Sequence, residues 1–406
     1  MASNKNVKTF IITVLPNEML TTVFFNLDVE DKCSSAQVCR RWRDVIYAEM
    51  LWRDQTIQLY LGNNLSAVLP SLNSRGVNVL QLTTGSPDHT PKPHTPYMVG
   101  NLRQILRVVQ SLENLDLLRV NMHHLTGVFV GDFPNLKVLK LPRRSLTRNS
   151  IYGLANHCKN LEVLHIALND VCNLCMGYFA QNLRKLRVLN VNNNMMITDD
   201  GVRALTVAKP PLEILNLAYC GYISDISATE IGSSLALIQS LDLTLSAITN
   251  TGISKLASLE HLTELILKLC DGINDDCVKI LAEAGSKIST LDLSYCKDIG
   301  DGSLGNLGQF PLPLKAFNVS CTSVSDLGIR SFVQEQLKLE VFSVICCSEI
   351  TDETLAIIAA ECPALRMLNF KHCIHTSREG RDALRSSRPD LQLDWTENND
   401  YVKFKK

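Results

Sequence analysis

The chain has 406 residues, is 46% hydrophobic and carries a formal charge of -1. That length and apolar content allow a large core, and the near-neutral balance argues against nucleic acid as a partner, since a dedicated binder would be strongly basic. Fourteen cysteines without a secretory signal peptide point to reduced thiols and an intracellular protein, cytoplasmic or nuclear, rather than to a disulfide framework.

Residues 1–14 read as an N-terminal tail. The apolar run FIITVL (10–15) ends at Pro16 and is too short for a signal h-region or a membrane span, so no membrane partner is expected. Pro16 suits the first position of a helix, and Leu20, Val23, Phe24 and Leu27 follow at i, i+3, i+4, i+7. Asp28 can cap a second helix from Val29, whose acidic start (Glu30, Asp31) suits the helix dipole. A third carries Val38, Trp42, Val45 and Ile46 on one face and Arg40, Arg41 and Arg43 on others. Three helices in roughly forty residues make a bundle that is marginal by itself. Leu15, Leu20 and Phe24 cannot all turn inward with Val23, Leu27 and Trp42, so an apolar face remains for another protein.

Beyond a linker and first repeat (61–111), one phrase recurs: apolar, two of anything, apolar, one of anything, apolar. It starts at Leu112, Leu136, Leu161, Leu186, Leu212, Ile238, Leu262, Ile288, Leu314, Leu339 and Leu365, in steps of 24 to 26 residues. A weaker copy, VNVLQL, begins at Val77. A fixed period of this length marks a solenoid. In the repeat from Leu212, Leu212, Leu215 and Leu217 point inward from a short strand, while Ile214, Asn216 and Ala218 point outward. Cys220, Cys270, Cys296, Cys347 and Cys373 fill the ninth position of their repeats, and Asn169 and Asn194 fill it earlier. A side chain there turns inward and can bond the loop backbone of its own and neighbouring turns, cysteine as a small, mostly apolar residue. Next come ITDDGV at Ile197, ISDISA at Ile223, INDDCV at Ile273, ITDETL at Ile350 and similar stretches, whose Ser, Thr, Asn and Asp can cap a following helix. The proline-rich stretch 83–96, with Ser86, Thr90 and Thr95 each before a proline, reads as an inserted loop and a second candidate binding element. Residues 112–390 form the array; 391–406, where Asp394 breaks the phrase, read as a C-terminal cap and tail.

Two resemblances follow. Leu15 to Arg53, with the Leu-Pro start, the V-C-R-x-W group (Val38, Cys39, Arg40, Trp42) and the closing Leu51-Trp52, resembles an F-box over 15–60. The Cys, then I-T-D-x-G-apolar pattern resembles the cysteine-containing leucine-rich repeats. The fold implied is α/β: a three-helix F-box, then a curved leucine-rich-repeat solenoid with parallel strands on its concave face and helices on its convex face. The function implied is substrate recognition in an SCF-type ubiquitin ligase, non-catalytic and without cofactor. A Skp-type adaptor would dock on Leu15, Pro16, Leu20 and Phe24, with Val38 and Trp42 less directly, and connect to a cullin scaffold. A protein substrate would meet the concave face, with His165, Asn190, Asn216, Asp242, Asp292 and Asn318 at the fifth phrase position and Tyr219 and Tyr295 at the eighth, near the rim.

Two alternatives stay open: an interaction scaffold outside any ligase, and a metal or redox enzyme using the cysteine pairs. Cys172 and Cys175 form a lone C-x-x-C without the second pair that a zinc site wants. His89, His94, His123 and His124 lack ligand spacing, and no phosphate-binding loop, H-E-x-x-H or G-x-S-x-G is present.

Overall fold

The computed structural model describes residues 15–61, 65, 68–84, 97–120, 133–220, 222–333 and 338–394. The N-terminal tail, residues 85–96 of the proline-rich stretch with its candidate phosphosites, the four clustered histidines and the tail from Trp395 lie outside them. The chain divides into two units, residues 1–163 and 164–406.

The first unit begins with three helices: α1 (Asn17–Phe25), α2 (Val29–Ser35) and α3 (Arg40–Ile46). Pro16 takes the cap position of α1, one residue before the place expected for it. Asp28 caps α2 by accepting from the Asp31 N–H at 2.8 Å, and the Cys39 sulfur accepts from the Trp42 N–H at the start of α3. A sheet follows, built from β1 (Thr56–Tyr60), β2 (Val79–Thr83), β3 (Asn114–Arg119) and β4 (Val138–Lys140), each parallel to the next. It starts one strand before the first recognisable phrase. Thr56–Tyr60 alternates its burial but lacks the leucine phrase, and only pairing with β2 reveals it. Between and after these strands lie α4 (Leu69–Ser74), α5 (Tyr97–Val108) and α6 (Arg148–His157). Leu102, Ile105 and Leu106 are the buried stripe of α5.

From Val163 onward, three-residue strands alternate with helices: β5 (Val163–His165), α7 (Asn173–Asn182), β6 (Val188–Asn190), α8 (Asp199–Thr206), β7 (Ile214–Asn216), α9 (Asp225–Ser234), β8 (Ser240–Asp242), α10 (Asn250–Leu256), β9 (Glu264–Ile266), α11 (Asp276–Glu283), β10 (Thr290–Asp292), α12 (Asp301–Gln309), β11 (Ala316–Asn318), α13 (Asp326–Val333), β12 (Val341–Ser343), α14 (Asp352–Glu361), β13 (Met367–Asn369), α15 (Arg378–Ser387) and β14 (Gln392–Asp394). Strands β6 to β14 pair in parallel, each with the next in chain order. The three leucines of the phrase are buried in repeat after repeat, as Leu212, Leu215 and Leu217 show. Each such side chain contributes ~1.5–3 kcal/mol when fully buried. Parallel strands stack at about 4.8 Å and packed helices need about 8–10 Å, so a stack of such repeats bends with its strands on the inner side.

The alternation ends sooner than the sequence suggests. Ala218 is buried, because the chain has already left the strand direction there. The next residue, the eighth of each phrase from Leu161 onward, is left-handed: Leu168, Asn193, Tyr219, Leu245, Leu269, Tyr295, Cys321, Cys346 and His372 have φ between 50° and 61°. This conformation costs a non-glycine residue ~1–2 kcal/mol. It persists because it aims the N–H at the next repeat. Tyr219 donates to the Thr244 carbonyl at 2.7 Å, Leu245 to Lys268 at 2.8 Å and Tyr295 to Ser320 at 2.9 Å. The ladder therefore runs on past the strand.

Two rows of side chains tie the second unit together. The ninth-position thiols donate one repeat back, Cys296 to the Leu267 carbonyl at 3.1 Å and Cys373 to Val344 at 3.0 Å. Asn194 does the same work with two hydrogen-bonding arms, its Oδ1 accepting from the Asn169 N–H and its Nδ2 donating to the Ile166 carbonyl. The second row lies at the helix starts. Thr198, Ser224, Thr249, Thr351 and Ser377 cap their own helices as expected. The acidic residues beside them serve the following repeat instead. Asp199 accepts from Ser224 and Ser227, Asp225 from Thr249, Asp301 from Ser325, Asp326 from Thr351 and Thr354, and Asp352 from Ser377.

Candidate docking surfaces

The F-box region fills its own core. Leu20 and Phe24, one turn apart on α1, are 1% and 2% exposed; Ile46, Leu51 and Trp52 complete the interior. Phe24 meets Trp42 edge-on with ring centroids 5.1 Å apart, and the Trp52 indole N–H donates to the Ile46 carbonyl at 2.5 Å. Arg41 holds the start of α1, donating to the Leu15 carbonyl and, at 3.0 Å, to Asn17 Oδ1.

This placement corrects two expectations. Leu20 and Phe24 lie beneath the surface, because Trp42 packs on Phe24 and turns that side of α1 inward. The exposed apolar stripe is one residue out of phase: Met19 and Val23 are 54% and 51% exposed, and Leu15 lies one turn before them, half-buried. Pro16 is exposed, Trp42 half-buried, and Val38 and Phe25 are well exposed. Met19 and Phe25 carry no signal that the residue pattern alone would have picked out.

Lys32 is also unexpected. It sits on α2 with no exposed surface, and its ammonium has no hydrogen-bond partner among the described residues. Burial, only partly opposed by Asp28, pushes its pKa below the ordinary lysine value.

In the second unit the fifth-position residues form one row. Asn190 pairs in register with Asn216, Asn216 with Asp242, Asp242 with Ile266, Ile266 with Asp292, and Asp292 with Asn318. His165, half-buried, precedes Ile166, whose N–H donates to the Asn190 carbonyl. Much of the row's bonding is spent on the fold. Asn216, Asp242, Asp292 and Asn318 each accept from the N–H two residues on, opening the turn that leads to the left-handed residue. Their outer atoms pair sideways, Asn216 Nδ2 to Asp242 Oδ2 and Asn318 Nδ2 to Asp292 Oδ2, both at 2.9 Å. Tyr219 is half-buried and Tyr295 is 46% exposed, with the Lys268 ammonium 5.1 Å from the Tyr295 ring centroid.

The ninth-position cysteines are poor chemical groups. Burial pushes Cys220 and Cys347 up to about 11 and Cys296 and Cys373 up to about 12, so each stays a thiol near neutral pH. Among the described residues no three His, Cys, Asp or Glu side chains are grouped to hold a metal, and no helix is long and apolar enough to cross a membrane.

Comparison with known proteins agrees with this architecture. Residues 12–58 match the F-box-like family, and residues 182–205 and 235–257 match a leucine-rich repeat family. Among solved structures, that of the yeast Rad7 and Elc1 complex is similar over 96% of this chain and 95% of that one, with a TM-score of 0.58 at 15% identity. An internalin from Listeria monocytogenes is similar over 74% of this chain and 76% of its own, with a TM-score of 0.44 at 19% identity. The chain is an F-box-like domain followed by leucine-rich repeats.

Proposed function

We propose that this protein is a non-catalytic substrate receptor of an SCF-type ubiquitin ligase. The observation that carries the reading is the exposed apolar stripe on a bundle whose core is already full. Leu15, Pro16, Met19 and Val23, with Val38, form the face for a Skp-type adaptor, and the adaptor connects the receptor to a cullin. Leu20, Phe24 and Trp42 support that face from within. The fifth-position row, with Tyr219 and Tyr295 beside it, meets a protein substrate. The receptor contributes proximity, raising the local concentration of substrate lysines near a charged ubiquitin carrier. That Rad7, similar in fold, was solved in complex with Elc1 supports a chain of this fold working with a second protein.

The test is co-purification of the full chain with a Skp-type adaptor and cullin. Met19→Asp with Val23→Asp should abolish adaptor capture while circular dichroism stays native. Undiminished capture would refute the assigned face. Adaptor capture without cullin would move the protein from ligase receptor to scaffold.

A further inference from the structure

Cys172 and Cys175 belong neither to the ninth-position row nor to the docking faces. Cys172 is the extended residue before α7 (φ -131°, ψ 178°) and Cys175 is the third residue of that helix. This start brings their sulfurs to 3.7 Å. A disulfide needs about 2.05 Å, so each sulfur would move under ~1 Å, within the reach of side-chain rotation. The two are unequal in access: Cys172 is 8% exposed and Cys175 has no exposed surface. The positive end of α7 lies beside the more accessible sulfur. The ninth-position thiols are instead spread one to a repeat, each bonded to a carbonyl one repeat back.

We propose that Cys172 and Cys175 form a thiol–disulfide exchange site whose oxidant is a small-molecule disulfide. The Cys172 thiolate attacks one sulfur of that disulfide, forming a mixed disulfide and releasing one small thiolate. The Cys175 thiolate then attacks Cys172 Sγ, closing the protein disulfide and releasing the second. Two protein thiols are oxidised, one small disulfide is reduced to two thiols, and the cysteine protons end on those thiols.

The sequence supplies a clean readout. No lysine or arginine lies between Lys159 and Arg184, so trypsin releases 160–184 as one peptide with Cys172 and Cys175 as its only cysteines. The full-length protein is equilibrated in glutathione buffers of rising disulfide fraction, blocked with N-ethylmaleimide and digested without reductant. The oxidised peptide should carry no maleimide and weigh two hydrogens less than the dithiol. Cys175→Ser, or Cys175→Ala should the serine variant misfold, should accumulate one glutathione on Cys172. Cys172→Ser should leave Cys175 unmodified. The exposed Cys33 and Cys39 report that the buffer is oxidising, and an unmodified Cys296 reports that the fold is intact. Three results would overturn the proposal: a peptide with both maleimides where Cys33 and Cys39 are modified, a wild-type peptide that stops at the mixed disulfide, or oxidation of Cys175 in Cys172→Ser.

Discussion

Asp326 offers the sharpest test of how the repeats are joined. Its carboxylate accepts from the Thr351 N–H at 3.0 Å and hydroxyl at 2.6 Å, and from the Thr354 N–H at 3.2 Å and hydroxyl. Thr354 has no exposed surface, so its hydroxyl cannot turn to water. Asp326→Ala leaves these donors without their charged acceptor. A buried donor left unpaired costs ~1–3 kcal/mol, and partial solvation of the site brings the sum to about 3 kcal/mol. Asp326→Asn should cost only about 1 kcal/mol. The chain already uses that substitution: Asn173 Oδ1 accepts from the Thr198 N–H and Nδ2 donates to the Thr198 hydroxyl. A stack of repeats opens locally rather than all at once, so the assay is amide hydrogen exchange of Thr351 and Thr354. The alanine variant should speed their exchange roughly a hundredfold, since each 1.4 kcal/mol is tenfold, and the asparagine variant several-fold. Equal rates in the two variants would refute the reasoning. So would an alanine variant indistinguishable from wild type.

Burial pushes the Asp326 and Asp199 carboxyls up, but hydrogen bonds to neighbouring hydroxyls and N–H groups outweigh it and hold both below the ordinary value. Their stabilisation is therefore complete above the unfolded carboxylate value of ~3.9 and is lost as pH falls through the lower folded values. Asp326→Asn should flatten that acid dependence in exchange measured across the range, and an unchanged profile would argue against it. Lys32→Met should raise the stability of the F-box region by ~1–3 kcal/mol by removing a buried ammonium that has no hydrogen-bond partner among the described residues; a fall in its urea midpoint would show that the lysine has a partner in the native protein. Phe24→Ala, at a core position, should cost ~3–5 kcal/mol and unfold the bundle, read as loss of near-ultraviolet dichroism, unlike Val23→Asp. Leu245→Ile keeps the hydrophobicity but puts a branched side chain on a left-handed backbone with φ 58°. It should cost ~1–3 kcal/mol in thermal denaturation, and a neutral result would remove the strain argument.

The period, the buried leucines and the ninth-position cysteines were legible in the sequence, because each repeat sees the same neighbours and so writes the same constraint each time. The F-box was legible as three amphipathic helices with an excess of apolar side chains. Which of those side chains stay outside was not: spacing places Leu20 and Phe24 on one stripe and Met19 and Val23 on another, and only the position of Trp42 decides which stripe faces in. The left-handed eighth position was hidden because Leu, Tyr and Cys, which fill most of it, do not favour it. A hydrogen bond to the next repeat imposes it. The acidic ladder was half-legible, since Asp at a helix start reads as a local cap, while its true donors lie a whole repeat further along the chain. The sequence determined what each repeat buries. The tertiary structure decided what each repeat gives its neighbour, because those bonds exist only when two turns are stacked, and no single turn carries their pattern.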